Sequence, residues 1–261
     1  MSDVLAYEEA GAGAPVVLLH AFPVHAQMWR AQRAALSDRW RVITPDLPGF
    51  GGSPRLEAEP SLDLVADAVV ATLDEIGVDK VVLGGLSLGG YVAMAVLRRH
   101  PDRVRALLLI DTKASADTDA ARENRERIAS TVVAERSVRV VLTDVLPGLV
   151  GKRTKRRRGD VLREITDMVR AAEPESIAWM QRAMAARPDS FDTLRAVKVP
   201  TLVVVGDEDE VTPPAEAEAM AEVLGNVRLV PIEASGHLSA VEVPDAVSSA
   251  IHDFLVDLPD E

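Results

Sequence analysis

Three features of the 261-residue sequence predict an α/β protein with a mostly parallel central sheet flanked by helices. Short continuous apolar runs alternate with segments whose apolar residues recur at helical spacing, the pattern of parallel strands joined by crossover helices. That alternation stops near residue 113 and resumes near 196, with only helical segments between. An inserted helical cap over 113–195 is therefore expected on a core made of 1–112 and 196–261. Finally, a glycine-rich turn joins one of the apolar runs directly to a helical segment, placing polar chemistry at the carboxyl edge of the sheet.

The elements follow in order. Val4 to Glu8 reads as a short strand, and after a Gly/Pro turn Val16 to His20 is an apolar run of the kind buried on both faces. Met28 to Leu36 reads as a helix, Arg41 to Pro45 as a strand and Pro48 to Pro54 as a loop. Ser61 to Ile76 carries Leu62, Val65, Val69 and Leu73 on one helical face, and Gly77 ends it as a C-cap. Lys80 to Gly85 and Val104 to Ile110 are core strands around a helix from Leu88 to Arg99. Beyond the insertion, Thr201 to Val205 and Val227 to Ile232 read as strands, and Pro213 to Leu224 and Pro244 to Val256 as helices opened by proline.

Composition removes several classes of function. Hydrophobic residues at 48% and charged residues at 27% fit a folded globular chain rather than a disordered one. Without cysteine there is no disulfide framework, thiolate metal site or cysteine nucleophile. A net charge of −12 disfavours general binding to nucleic acid or anionic membrane. The charge is uneven: the insertion holds 17 basic and 13 acidic residues against 12 and 28 elsewhere, with a basic run from Lys152 to Arg158. The uncharged stretch Val81 to Leu97 is interrupted by five glycine and serine residues, so a strand, turn and helix are expected there rather than a membrane span. The N-terminal residues carry acids where a secretory signal would be basic, and a cytoplasmic protein is expected.

Gly85-Leu86-Ser87-Leu88-Gly89 is a G-x-S-x-G sequence at a strand-to-helix junction, the context a nucleophilic serine needs. A turn that sharp strains the serine backbone, and the residues two before and two after must lack side chains for strand and helix to approach. The Leu88 amide then lies at a helix N-terminus, where an oxyanion is favoured. Among five histidines, His237 follows the last expected strand in a loop at the same sheet edge and is the expected base. His100 and His252 read as surface residues, His20 as a loop-binding core residue and His25 as a pocket residue. For the carboxylate that orients the imidazole, Asp207, Glu208, Asp209 and Glu210 compete after one strand. Asp209, three residues past the strand-ending Gly206, is favoured, and Asp111 at the end of VRALLLI is an allowed substitute. The Phe22 amide, in the loop after the first core strand, is the second expected oxyanion donor. Cap residues Ile128, Val132, Leu142, Leu146, Trp179 and Met184, with Leu238, are candidates for the pocket wall.

These motifs, with the D-x-P-G-x-G-x-S sequence Asp46 to Ser53 and G-H-x-x-x-x-E-x-P from Gly236 to Pro244, resemble the α/β-hydrolase superfamily with a helical cap. The resemblance implies the α/β-hydrolase fold, Ser87 as nucleophile, Asp209 as acid, His237 as base, and Phe22 and Leu88 as oxyanion donors. Ala21 departs from the glycine usual after the family's histidine. The chain is most similar to 3-oxoadipate enol-lactonases, small carboxylesterases and cofactor-free haloperoxidases, and its serine differs from the aspartate nucleophile of dehalogenases and epoxide hydrolases. The resemblance implies a serine hydrolase acting on a small ester or lactone without metal or cofactor, and perhydrolysis as a side activity. A slow or non-catalytic small-molecule receptor, and an ester hydrolase acting on an acyl carrier protein through the basic run, are the alternatives.

Overall fold

A computed structural model of the chain describes residues 4–259. Seven strands form one sheet: β1 (Tyr7–Ala10), β2 (Pro15–Leu19), β3 (Arg41–Pro45), β4 (Val81–Leu86), β5 (Val104–Ile110), β6 (Thr201–Gly206) and β7 (Val227–Ile232). Their order is β1-β3-β2-β4-β5-β6-β7, with β1 antiparallel to β3 and every other pair parallel. The central strands β4 and β6 are buried at every residue, as continuous apolar runs covered on both faces must be. The helices α1 (Arg30–Leu36), α2 (Leu62–Glu75), α3 (Leu88–Arg99), α9 (Pro214–Val223) and α11 (Pro244–Val256) flank the sheet. Burial of each large apolar side chain in this layer contributes roughly 1.5–3 kcal/mol.

The insertion between β5 and β6 is helical throughout. It contains α4 (Asp119–Glu135), α5 (Lys152–Arg157), α6 (Gly159–Ala171), α7 (Pro174–Ala185) and α8 (Phe191–Ala196), with a π turn and a 3-10 turn over Val141–Gly148. The pair α4 and α7 packs most extensively, and the Trp179 indole N–H donates to Ala58 O at 2.7 Å, tying α7 to the loop after β3. Ser190 N–H bonds Ala114 O at 2.9 Å across the neck of the insertion, and α8 lies against α3 and α9 of the sheet layer.

Three boundaries differ from expectation. The first strand begins at Tyr7 rather than Val4, because the Leu5 and Ala6 amides bond the Thr72 and Ser53 hydroxyls instead of a ladder. The helix expected from Met28 is preceded by a 3-10 turn over Ala26–Trp29, which the His25 imidazole caps by accepting from Gln27 N. A short helix α10 (Ser239–Glu242), too brief for any periodic signal, sits directly after the His237 loop.

Candidate active site

Ser87 occupies the turn between β4 and α3 with φ +53°, in the region that L residues avoid. The turn closes only because its flanks are bare: a Cβ on Gly85 would meet Gly89 C at 2.1 Å, and one on Gly89 would meet Leu19 O at 2.1 Å. The Ser87 N–H is held by Ile110 O on β5 and its carbonyl by the Thr112 hydroxyl, so the end of β5 and the residues just past it hold the strained residue in place.

The sheet edge brings the three distant side chains into line. Ser87 Oγ donates to His237 Nε2 at 2.7 Å, and His237 Nδ1 donates to Asp209 Oδ2 at 2.8 Å. The carboxylate can only accept, which assigns the imidazole proton to Nδ1 and leaves Nε2 as the acceptor. Asp209 also accepts the Thr212 hydroxyl at 2.8 Å and the Val211 and Thr212 amides at 2.8 and 3.0 Å. Burial raises the cost of the Asp209 charge, but His237 and the Thr212 donors outweigh it and hold the carboxyl below its ordinary range. Burial likewise opposes a charged His237, and the Asp209 charge and hydrogen bond override it, so the imidazole pKa is raised above 6.5.

The neighbouring acids serve the loops. Asp207 accepts the Ser235 amide at 3.3 Å, and Glu208 accepts the Lys152 amide at the start of α5. Asp111 does not reach the imidazole: its two oxygens accept the Gly206 and Ser239 amides at 2.9 and 3.0 Å. Burial, reinforced by the nearby Asp209 charge, pushes the Asp111 carboxyl up to about 7. Glu242, fully buried, accepts Gly236 N–H at 2.9 Å and Gly151 N–H at 2.8 Å, joining the histidine loop to the insertion. Glu242 lies within the G-H-x-x-x-x-E-x-P motif and Thr212 three residues past Asp209, but their partners become visible only in the folded chain.

His20 organises the loop opposite Ser87. Its Nε2 accepts Leu47 N–H at 2.8 Å, so the proton sits on Nδ1, which donates to Ala21 O at 2.9 Å. Burial lowers its pKa to about 4 and keeps it neutral. Ala21 is not among the residues with positive φ, so its methyl group fits where glycine is usual in the family. Neither the Phe22 nor the Leu88 N–H has a hydrogen-bond partner among the described residues, which leaves both amides available.

A cavity of about 280 Å³ opens over Ser87, His237 and Phe22, with Ile128, Val145 and Met184 of the insertion on its wall. Of the expected pocket residues, Ile128 and Met184 are there. The others are corrected. His25 caps the 3-10 turn and Trp179 is committed to Ala58 O; Leu238, Leu146 and Val132 are buried in packing, and Leu142 is partly buried against the core. Among the described residues no group of three or more His, Asp or Glu side chains could hold a metal ion, and no helix is long and apolar enough to cross a membrane.

Fold and site together define an α/β hydrolase. The sequence profile of the alpha/beta hydrolase fold family matches residues 14–244, and the chain belongs to that family. It is 31% identical over 246 residues to a pimeloyl-[acyl-carrier protein] methyl ester esterase of Neisseria meningitidis, covering 92% of this chain and 93% of that protein. Its structure matches a thermophilic esterase from Thermogutta terrifontis, solved with malate bound, at TM-score 0.93 and 42% identity, covering 97% of this chain and 93% of the other. An enol-lactonase from Burkholderia xenovorans matches at TM-score 0.89 and 27% identity over 97% and 96% of the two chains.

Proposed function

We propose that the protein is a serine hydrolase that cleaves a carboxylic ester or lactone of a small molecule through an acyl-enzyme on Ser87. The observation that carries this reading is the hydrogen-bonded line Ser87–His237–Asp209 at the floor of a cavity. Ser87 Oγ attacks the carbonyl carbon as its proton passes to His237 Nε2, and the Phe22 and Leu88 amides receive the oxyanion. Collapse breaks the bond to the leaving oxygen, which takes the proton from Nε2. Water, deprotonated by the same nitrogen, then attacks the acyl carbon and releases the acid and Ser87. Asp209 holds the tautomer and offsets the imidazolium charge. Ser87→Ala should abolish labelling by a fluorophosphonate and lower turnover of p-nitrophenyl esters by about 10⁶-fold. Labelling of the wild type without turnover on esters or lactones would move the reading to a small-molecule receptor; normal turnover in the variant would overturn it.

A second reading, an ester carried on an acidic carrier protein, has one observation in its favour. None of the six cations of Lys152–Arg158 takes part in an ion pair among the described residues, although the chain as a whole is acidic. The related Neisseria enzyme carries an acyl carrier protein in its name. For such a substrate kcat/KM should fall several-fold between low and physiological salt, while a neutral small ester should be insensitive.

A further inference from the structure

The cavity wall contributed by the insertion is polar in a way that neither the triad nor the packing explains. Arg125 on α4 lines the cavity, and its side chain is 20% exposed. Its Nε donates to Asp117 and its Nη1 to Gln181 Oε1 at 2.9 Å, while Nη2 has no partner among the described residues. Asn124 beside it spends its oxygen on Arg127, leaving its amide N–H₂ free on the same wall. Tyr91 adds a third donor. Its hydroxyl has no hydrogen-bond partner among the described residues, and burial pushes the phenol up, keeping it protonated.

The charge behind this wall is positive. Asp117 is shared among Arg125, Arg187 (2.9 Å) and Lys113 (3.8 Å), three cations around one carboxylate. Arg187 also stacks over the Tyr91 ring at 4.0 Å. The nearby acids have partners of their own: Asp144, on the cavity wall, is held by Arg127 and Thr143, and Glu216 accepts the Ser115 hydroxyl. The unpartnered Nη2 of Arg125, with the Asn124 amide and the Tyr91 hydroxyl beside it, gives three donors that fit a carboxylate. The position of that group along the substrate follows from the helix: Tyr91 lies one turn beyond Ser87 on α3, roughly 6 Å along the axis. An acyl chain running from Ser87 along this wall would carry its far end to these donors, its methylenes against Ile128, Val145 and Met184.

We infer that the wall formed by Arg125, Asn124 and Tyr91 is an anion subsite, and that the preferred substrates are esters or lactones of short dicarboxylic acids whose second carboxylate it holds. This rests on the hydrolytic reading of Ser87 given above. The test compares the p-nitrophenyl monoester of glutaric acid with its neutral isostere, p-nitrophenyl 5-methylhexanoate, on the same preparation. The ratio of their kcat/KM values does not depend on the folded fraction. The wild type should favour the glutarate ester at least tenfold, and Arg125→Gln should lower that ratio by about 10- to 100-fold. Arg125→Lys, which keeps the ion pair with Asp117 but not the fork, should lower it less. Titration of glutarate by calorimetry reads the subsite without turnover, and its affinity should fall at least tenfold in Arg125→Gln. Turnover of the neutral ester with no preference, or a ratio unchanged in Arg125→Gln, would overturn the subsite alone. Glutarate binding that depends on Arg125, with neither ester hydrolysed, would overturn the hydrolytic reading and leave the subsite standing.

Discussion

Asp207 and Asp209 stand two residues apart after the same strand, yet only Asp209 reaches the imidazole. The difference is direction: Asp209 is turned inward and fastened by Thr212 and Val211, while Asp207 stays at the surface and braces Ser235. Asp209→Asn should lower kcat by about 10⁴-fold, because the amide both loses the charge and favours the wrong tautomer. Asp207→Asn should stay within a few-fold, and the two variants assayed on one ester give the ranking directly. The pH profile carries a sign. The reaction needs neutral His237, whose pKa is raised by Asp209, so the acid limb of kcat/KM should rise through a value above 6.5. An acid limb at or below 6.5 would contradict that coupling.

At the scale of elements, the nucleophile depends on how closely α3 approaches β2 and β4. Gly89 is the contact: its Cβ position falls 2.1 Å from Leu19 O and 2.9 Å from Leu19 Cβ, and a backbone oxygen within β2 cannot yield. Gly89→Ala should push the start of α3 off the sheet, costing about 3 kcal/mol and displacing Ser87 from His237. Thermal melts read the first effect and the rate of fluorophosphonate labelling the second; a variant as stable and as reactive as wild type would contradict the close approach. The insertion is joined to the same edge by Glu242, whose carboxylate links Gly151 at the start of α5 to Gly236 beside the base. The position of α5 and that of the catalytic loop are thus coupled through one buried side chain.

Across the whole molecule, Asp111 makes stability depend on pH. Its carboxyl is raised from 3.8 to about 7 by burial beside Asp209, so between these values the folded chain holds a proton that the unfolded chain has lost. The stability this group contributes is full below about 4 and is lost as pH rises through about 7. Asp209 runs the other way: its carboxyl is lowered, so its contribution is present above the ordinary 3.8 and lost as pH falls through the lower folded value. The melting temperature of wild type relative to Asp111→Asn should therefore shrink between pH 5 and pH 8, and a difference independent of pH would remove Asp111 as the cause.

The sheet, the strained serine turn, the histidine loop and the acid three residues past Gly206 were readable in one dimension, because each is dictated by neighbours within a few residues. Apolar runs must be covered, a sharp strand-to-helix turn demands glycine on both sides, and polar residues after buried strands emerge at one edge. The cavity wall was not readable in this way. Trp179 and Leu238 carry the same apolar signal as Met184, but the Trp179 indole is taken up by Ala58 O and Leu238 is buried in the core, while Arg125 and Asn124 look in sequence like any exposed stretch of a helix. Which residues face the substrate depends on how α4 and α7 pack over a sheet edge contributed by segments up to 150 residues away in the chain, as Ser87 and His237 are. Contacts at that range leave no periodic trace in the sequence, so only the packed cap settles which side chains meet the ligand.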